Sequence, residues 1–133
     1  YDALIEEYSA DYFVGLGSGT GNSKELAIKI AKINAQAELA QTIKVTILSK
    51  AELVTSETID GNTSNISETF KQKIISLGDA TVRSPEYEIL NIDKNKKVYQ
   101  AKVLVKKLKR QHIEEAARDL EFLDADKLLD LLE

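Results

Sequence analysis

Residues 27–47 read AIKIAKINAQAELAQTIKVTI, and the fold turns on where the period of this stretch changes. At about 100° per residue, Ala27, Ala31, Ala35 and Leu39 line one stripe of a helix, while Leu26, Ile30, Ile33, Ala37 and Ala40 line a second. Asn34, Glu38 and Gln41 separate the stripes on one side, and Lys29, Lys32 and Gln36 separate them on the other. The helix thus has a large-residue face suited to packing on a sheet. Its small-residue face admits a second backbone at close range, from the same subunit or a neighbour.

This helix is predicted over residues 23–42, with Asn22 or Ser23 as its N-cap. From Ile43 the spacing shortens: Ile43, Val45, Ile47, Ala51 and Leu53 alternate with Lys44, Thr46, Lys50 and Glu52, and β-branched residues continue to Ile59. Alternation of that kind predicts one long strand, or two collinear strands, over 43–59.

Working outward, Tyr12-Phe13-Val14-Gly15-Leu16-Gly17 reads as a short buried strand, preceded by a lead-in over 1–11 with a helical turn around Leu4 to Tyr8. Asp60-Gly61-Asn62 is a turn signal. Asn65 with Glu68 resembles a capping pair, and Ile66, Phe70, Ile74 and Leu77 form an apolar stripe that ends at Gly78. Tyr87 to Ile92 and Val98 to Lys107 alternate around the polar turn Asp93-Lys94-Asn95-Lys96, which predicts a β-hairpin. Ile113, Ala117 and Leu120 begin a helical tail, and Leu128, Leu129, Leu131 and Leu132 crowd its end after Asp124. The elements describe an α+β fold, with a lead-in over 1–11, one domain over 12–108 and a helical extension over 109–133.

Composition narrows the function. With 133 residues and 43% hydrophobic content the chain suits a single domain. Eighteen basic residues against 22 acidic ones leave a net charge of −4, so no general field attracts nucleic acid. No apolar run approaches the ~20 residues needed to cross a bilayer. There is no cysteine, which excludes disulfides and thiolate metal sites, and no methionine, which suggests a mature or trimmed fragment.

The most suggestive chemical motif is Gly15-Leu16-Gly17-Ser18-Gly19-Thr20-Gly21, between a strand and a helix start, where backbone N–H groups can cradle an anion. It matches neither standard phosphate fingerprint: Thr20 stands where G-x-G-x-x-G needs its third glycine, and no Lys-Ser/Thr closes a P-loop. A flexible turn is the simpler reading; a small anion- or ligand-binding module using Gly15–Gly21 is the alternative. His112, the only histidine, has no second histidine or cysteine with which to share a metal or activate a nucleophile, and it reads as a surface residue. The hydroxyls between Thr55 and Ser67 lack a base partner, and the acids Glu114, Glu115, Glu121, Asp124, Asp126 and Asp130 read as a solvated face. Lys106, Lys107, Lys109 and Arg110 form a basic cluster at a strand end. No catalytic constellation, metal site or cofactor site follows.

The alanine ladder Ala27, Ala31, Ala35, Leu39, followed by Ile43, Val45 and Ile47 and preceded by a glycine-ending strand, resembles the LPP20 family of bacterial outer-membrane lipoproteins. The likeness runs from about Tyr12 to Leu108. It implies a small strand-helix-strand-strand (SHS2-like) sheet with an inserted helix and C-terminal helices. It further implies a non-enzymatic scaffold on the periplasmic face of the outer membrane, attached to the inner leaflet through a lipid upstream of Tyr1. Several members are tied to flagella and motility, so the expected partners are further copies of the chain in a ring or sheet, and other flagellar-motor or cell-wall components, but not nucleic acid. Subunit contacts are expected at Ala27, Ala31 and Ala35 and at Leu128, Leu129, Leu131 and Leu132.

Overall fold

The computed structural model describes residues 2–57, 72 and 75–119. Its elements are α1 (Asp2–Ser9), β1 (Tyr12–Gly21), α2 (Lys24–Glu57), β2 (Glu86–Asn95), β3 (Val98–Leu108) and α3 (Lys109–Asp119), and residues 75–78 are also helical. A three-stranded antiparallel sheet with helices makes the fold α+β. The chain divides into two compact units, one built from Tyr1–Thr42 and Val82–Lys109, the other from Ile43–Thr81 and Arg110–Glu133.

In the first unit the strand order is β1-β3-β2. Gly15, Gly17 and Gly19 stand opposite Val105, Val103 and Ala101, so these glycines share one sheet face with the buried β3 side chains. Residues 24–42 of α2 lie on that face. A Cβ on Gly15 would meet the backbone of Ala35 and Leu39, one on Gly17 that of Ala31 and Ala35, and one on Gly19 that of Ala27 and Ala31. Glycine on the strand and alanine on the helix therefore answer each other. The glycine run is strand to its end at Gly21, not a turn after Gly17.

Ser23 caps α2 as expected, its Oγ accepting the Leu26 N–H at 3.2 Å. On the flank of the sheet, Asn34 donates to the Ser18 carbonyl at 2.7 Å. The β2–β3 hairpin closes between Asn95 and Val98, with Lys96 at a φ of 59°, and an irregularity in β2 between Ile89 and Asn91 leaves Leu90 without a register partner.

The largest departure from the sequence reading is in α2, which continues as helix through Glu57 where a strand was expected over 43–59. Ile43 and Ile47 satisfy the short β period, but they also extend the four-residue ladder of Ala27, Ala31, Ala35 and Leu39, and all six are buried. Extending a formed helix costs far less than starting a new element, so the ladder prevails over β propensity. Residues 58 and 59 lie outside the described part, as do Asn65, Ile66, Glu68, Phe70 and Ile74, where the inserted helix was expected.

The second unit contains residues 43–57 of α2, the helical turn at 75–78 and most of α3. Gly78 ends its helical turn and permits a close approach, since a Cβ there would lie 3.2 Å from Lys44 Cα. Leu77, Ile43, Ile47, Ile113, Ala116 and Ala117 are its buried apolar residues. Burying each large aliphatic side chain contributes about 1.5–3 kcal/mol. The Lys44–Asp79 ion pair, 3.6 Å long and more than half exposed on both sides, adds little beside that.

Candidate functional site

The small-residue face of α2 admits a second backbone from the same subunit, one of the two outcomes expected of it, while the large-residue face does not pack on the sheet as expected. Ala27, Ala31 and Ala35 are fully buried within the first unit, against β1. Their small size serves an intrachain contact, which corrects the expectation that they join subunits. The large-residue stripe, expected to pack on the sheet, is left largely open: Leu26, whose side chain reaches β1 only at Gly21, is 41% and Ile33 58% exposed, Ile30 is half-buried, and Ala37 and Ala40 are exposed. This division follows from β1. A strand bearing glycines toward the helix has no side-chain layer to hold large residues apart, so the closest packing is reached with alanines.

Beside the helix, β2 leaves two more apolar side chains half open on the same sheet face, Tyr87 at 38% and Ile89 at 48%. Tyr87 is fixed by its hydroxyl on Gln36 Oε1 at 3.3 Å and by the Lys32 ammonium, 5.2 Å from its ring centroid. In the second unit Val45 and Leu48 of α2 are also exposed, at 54% and 40%. Leu128, Leu129, Leu131 and Leu132 lie outside the described residues.

The other motifs resolve into structure. Gly15–Gly21 pairs residue by residue with Val105–Tyr99 under α2, so the anion-cradling turn that a ligand-binding module would need is not formed there. His112 is buried rather than on the surface, with Nε2 3.4 Å from the Leu77 carbonyl oxygen. It turns inward because α3 starts at Lys109 and places His112 on the same stripe as Ile113, Ala116 and Ala117. Glu114 is exposed and Glu115 half-buried on that helix, while Glu121, Asp124, Asp126 and Asp130 lie outside the described residues.

Of the basic cluster, Arg110 is exposed and Lys109 half-buried, but Lys106 and Lys107 are drawn into the fold. Lys107 is buried and donates to the Arg83 carbonyl. Lys106 places its ammonium 4.0 Å from the Tyr8 ring centroid and 4.8 Å from that of Tyr12, with Glu86 Oε2 at 3.8 Å. Together with the Tyr8 hydroxyl, which donates to Glu88 Oε2 at 3.2 Å, this ties α1 to the sheet face opposite α2. Farther along that face Ser18, Thr20, Asn91, Asp93, Gln100 and Lys102 line an open polar hollow of about 420 Å³. Among the described residues no three His, Asp or Glu side chains gather as metal ligands, and no helix is long and apolar enough to cross a membrane.

No family model and no curated protein matches the chain. Among solved structures it is similar to the crystal structure of the secreted protein HP1454 from the human pathogen Helicobacter pylori, at 16% identity and a TM-score of 0.41. That alignment covers 80% of this chain and 34% of the other, so the chain spans about a third of the length of that protein.

Proposed function

We propose that the chain is a non-enzymatic, self-assembling scaffold of the bacterial envelope, held at the periplasmic face of the outer membrane by a lipid upstream of Tyr1. The observation that carries this reading is the outer stripe of α2. Leu26, Ile30 and Ile33 leave large apolar side chains partly or mostly in solvent, although the same helix already buries an alanine face. An apolar stripe of that kind is more costly to leave in water than scattered single residues, and a partner surface removes the cost. The resemblance to LPP20 lipoproteins in the alanine ladder and the glycine strand supports the same class. Within it, the flagellar P-type lipoprotein of the basal disk is the particular relative to which we compare the chain, with rings needed for motility as the assembled form.

Electron microscopy and light scattering of the purified chain test this. Concentration-dependent rings or sheets, formed without any small molecule, are expected. A chain that stays monomeric up to high concentration, in the presence and absence of lipid, contradicts the scaffold reading.

A further inference from the structure

We infer that the tip of the β2–β3 hairpin is a docking element for an anionic phospholipid surface. The lysines that the sequence gathers most visibly are engaged inside the fold, Lys107 buried and Lys106 between two tyrosine rings. Those at the hairpin tip stay at the surface: Lys94, Lys96 and Lys97 are all exposed. The register pairs Gly21 with Tyr99 and Asn95 with Val98, which brings the tip to the end of the sheet where α2 begins with the exposed Lys24. The Lys94 ammonium lies 5.2 Å from the Tyr99 ring centroid, at that same end. Four lysines there face two acids, Glu25 and Asp93, in a chain whose net charge is −4. The positive end is thus local and set against the charge of the whole.

The backbone supplies an independent argument. A two-residue hairpin turn with positive φ at its first position favours glycine or asparagine, yet Lys96 holds a φ of 59° there. A charged side chain kept at a conformationally costly tip points to a use for that side chain. Next to the lysines are two exposed apolar residues, Val98 at 42% and Leu26 at 41%. A soluble polyanion would engage only the charges. A bilayer surface engages both, taking the lysines at its headgroups and the apolar side chains just beneath them.

The inference concerns the membrane leaflet named in the proposed function and shares Leu26 with the outer stripe of α2, but its charges and its test lie at the hairpin tip and need no assembly. The test is co-sedimentation of the unlipidated chain with phosphatidylcholine vesicles, with and without phosphatidylglycerol. Protein concentrations are chosen at which light scattering gives the same particle size for the parent and all variants. Binding is expected only to the anionic vesicles and should weaken as salt screens it. With each lysine worth about fivefold at such a surface, the triple variant K94Q/K96N/K97Q should bind on the order of 100-fold less, with an unchanged or higher melting temperature. Val98→Ser should weaken binding without altering its salt dependence. Equal binding to neutral vesicles, no binding to either kind, or a triple variant that binds like the parent overturns the inference. So does lysine-dependent binding to a soluble acidic polysaccharide without binding to vesicles.

Discussion

The two long faces of α2 contain similar numbers of apolar residues and have opposite fates. Ala27, Ala31 and Ala35 disappear against the glycines of β1, whereas Ile33 remains mostly in solvent and Leu26, which meets β1 only at Gly21, is still 41% exposed. Hydrophobicity does not explain this, since leucine and isoleucine gain more from burial than alanine does. Shape does. With no side chains on β1 to fill the gap, only alanines let the helix come down onto the strand, and dense packing outweighs residue size. A helix face selected for closeness leaves its bulkier face for something else.

The comparison breaks most visibly at the glycines. Gly17→Val would drive a branched side chain into the backbone of Ala31 and Ala35, so neither partner can yield by changing rotamer. A loss of about 3 kcal/mol or more is expected in denaturant unfolding, enough to remove much of the stability of a small domain. Unfolding indistinguishable from that of the parent would mean that α2 does not sit on β1 as described.

A smaller loss tests the helix side of the same contact. Ala31→Leu adds three carbons to a fully buried position and should cost roughly 1–3 kcal/mol through overpacking. If the variant instead keeps its melting temperature and loses only assembly, then Ala31 belongs to a subunit contact and the two faces of α2 have been assigned the wrong way round.

On the opposite face the outcome should reverse. The double variant Leu26→Ser, Ile33→Ser changes exposed positions and should leave monomer stability within about 0.5 kcal/mol. Assembly should nevertheless fall, seen as a smaller particle by light scattering. Intact assembly in this variant would remove the stripe from consideration as a subunit contact.

The smallest effect is at the hairpin. Lys96→Gly relieves a positive φ at some cost in chain entropy, so a gain of about 0.5 kcal/mol is expected from thermal unfolding. A loss would show that the Lys96 side chain contributes to the stability of the turn.

Much of this molecule was legible locally. The N-cap at Ser23, the hairpin from Glu86 to Leu108 and the helix beginning near residue 24 all rest on interactions between near neighbours in the chain, and the structure has them. The separation of α2 into a small-residue and a large-residue face was equally readable, because a helical period is a property of the sequence. What local reading could not supply was the partner of each face. That depends on β1, whose glycines read as a turn when taken alone and become a flat packing surface only when β3 pairs with them. The same holds for 43–57, where Ile43, Val45 and Ile47 fit a strand and a helix alike until the ladder from Ala27 is continued through them. His112 and Lys107 read as surface residues for the same reason, since polar side chains go inside only where tertiary structure brings a carbonyl to meet them, here those of Leu77 and Arg83. The sequence by itself determined periods, caps and turns, which are set within a few residues of chain. Which face is buried, and how closely, was decided only by the tertiary structure, because close packing is a relation between surfaces far apart in the chain.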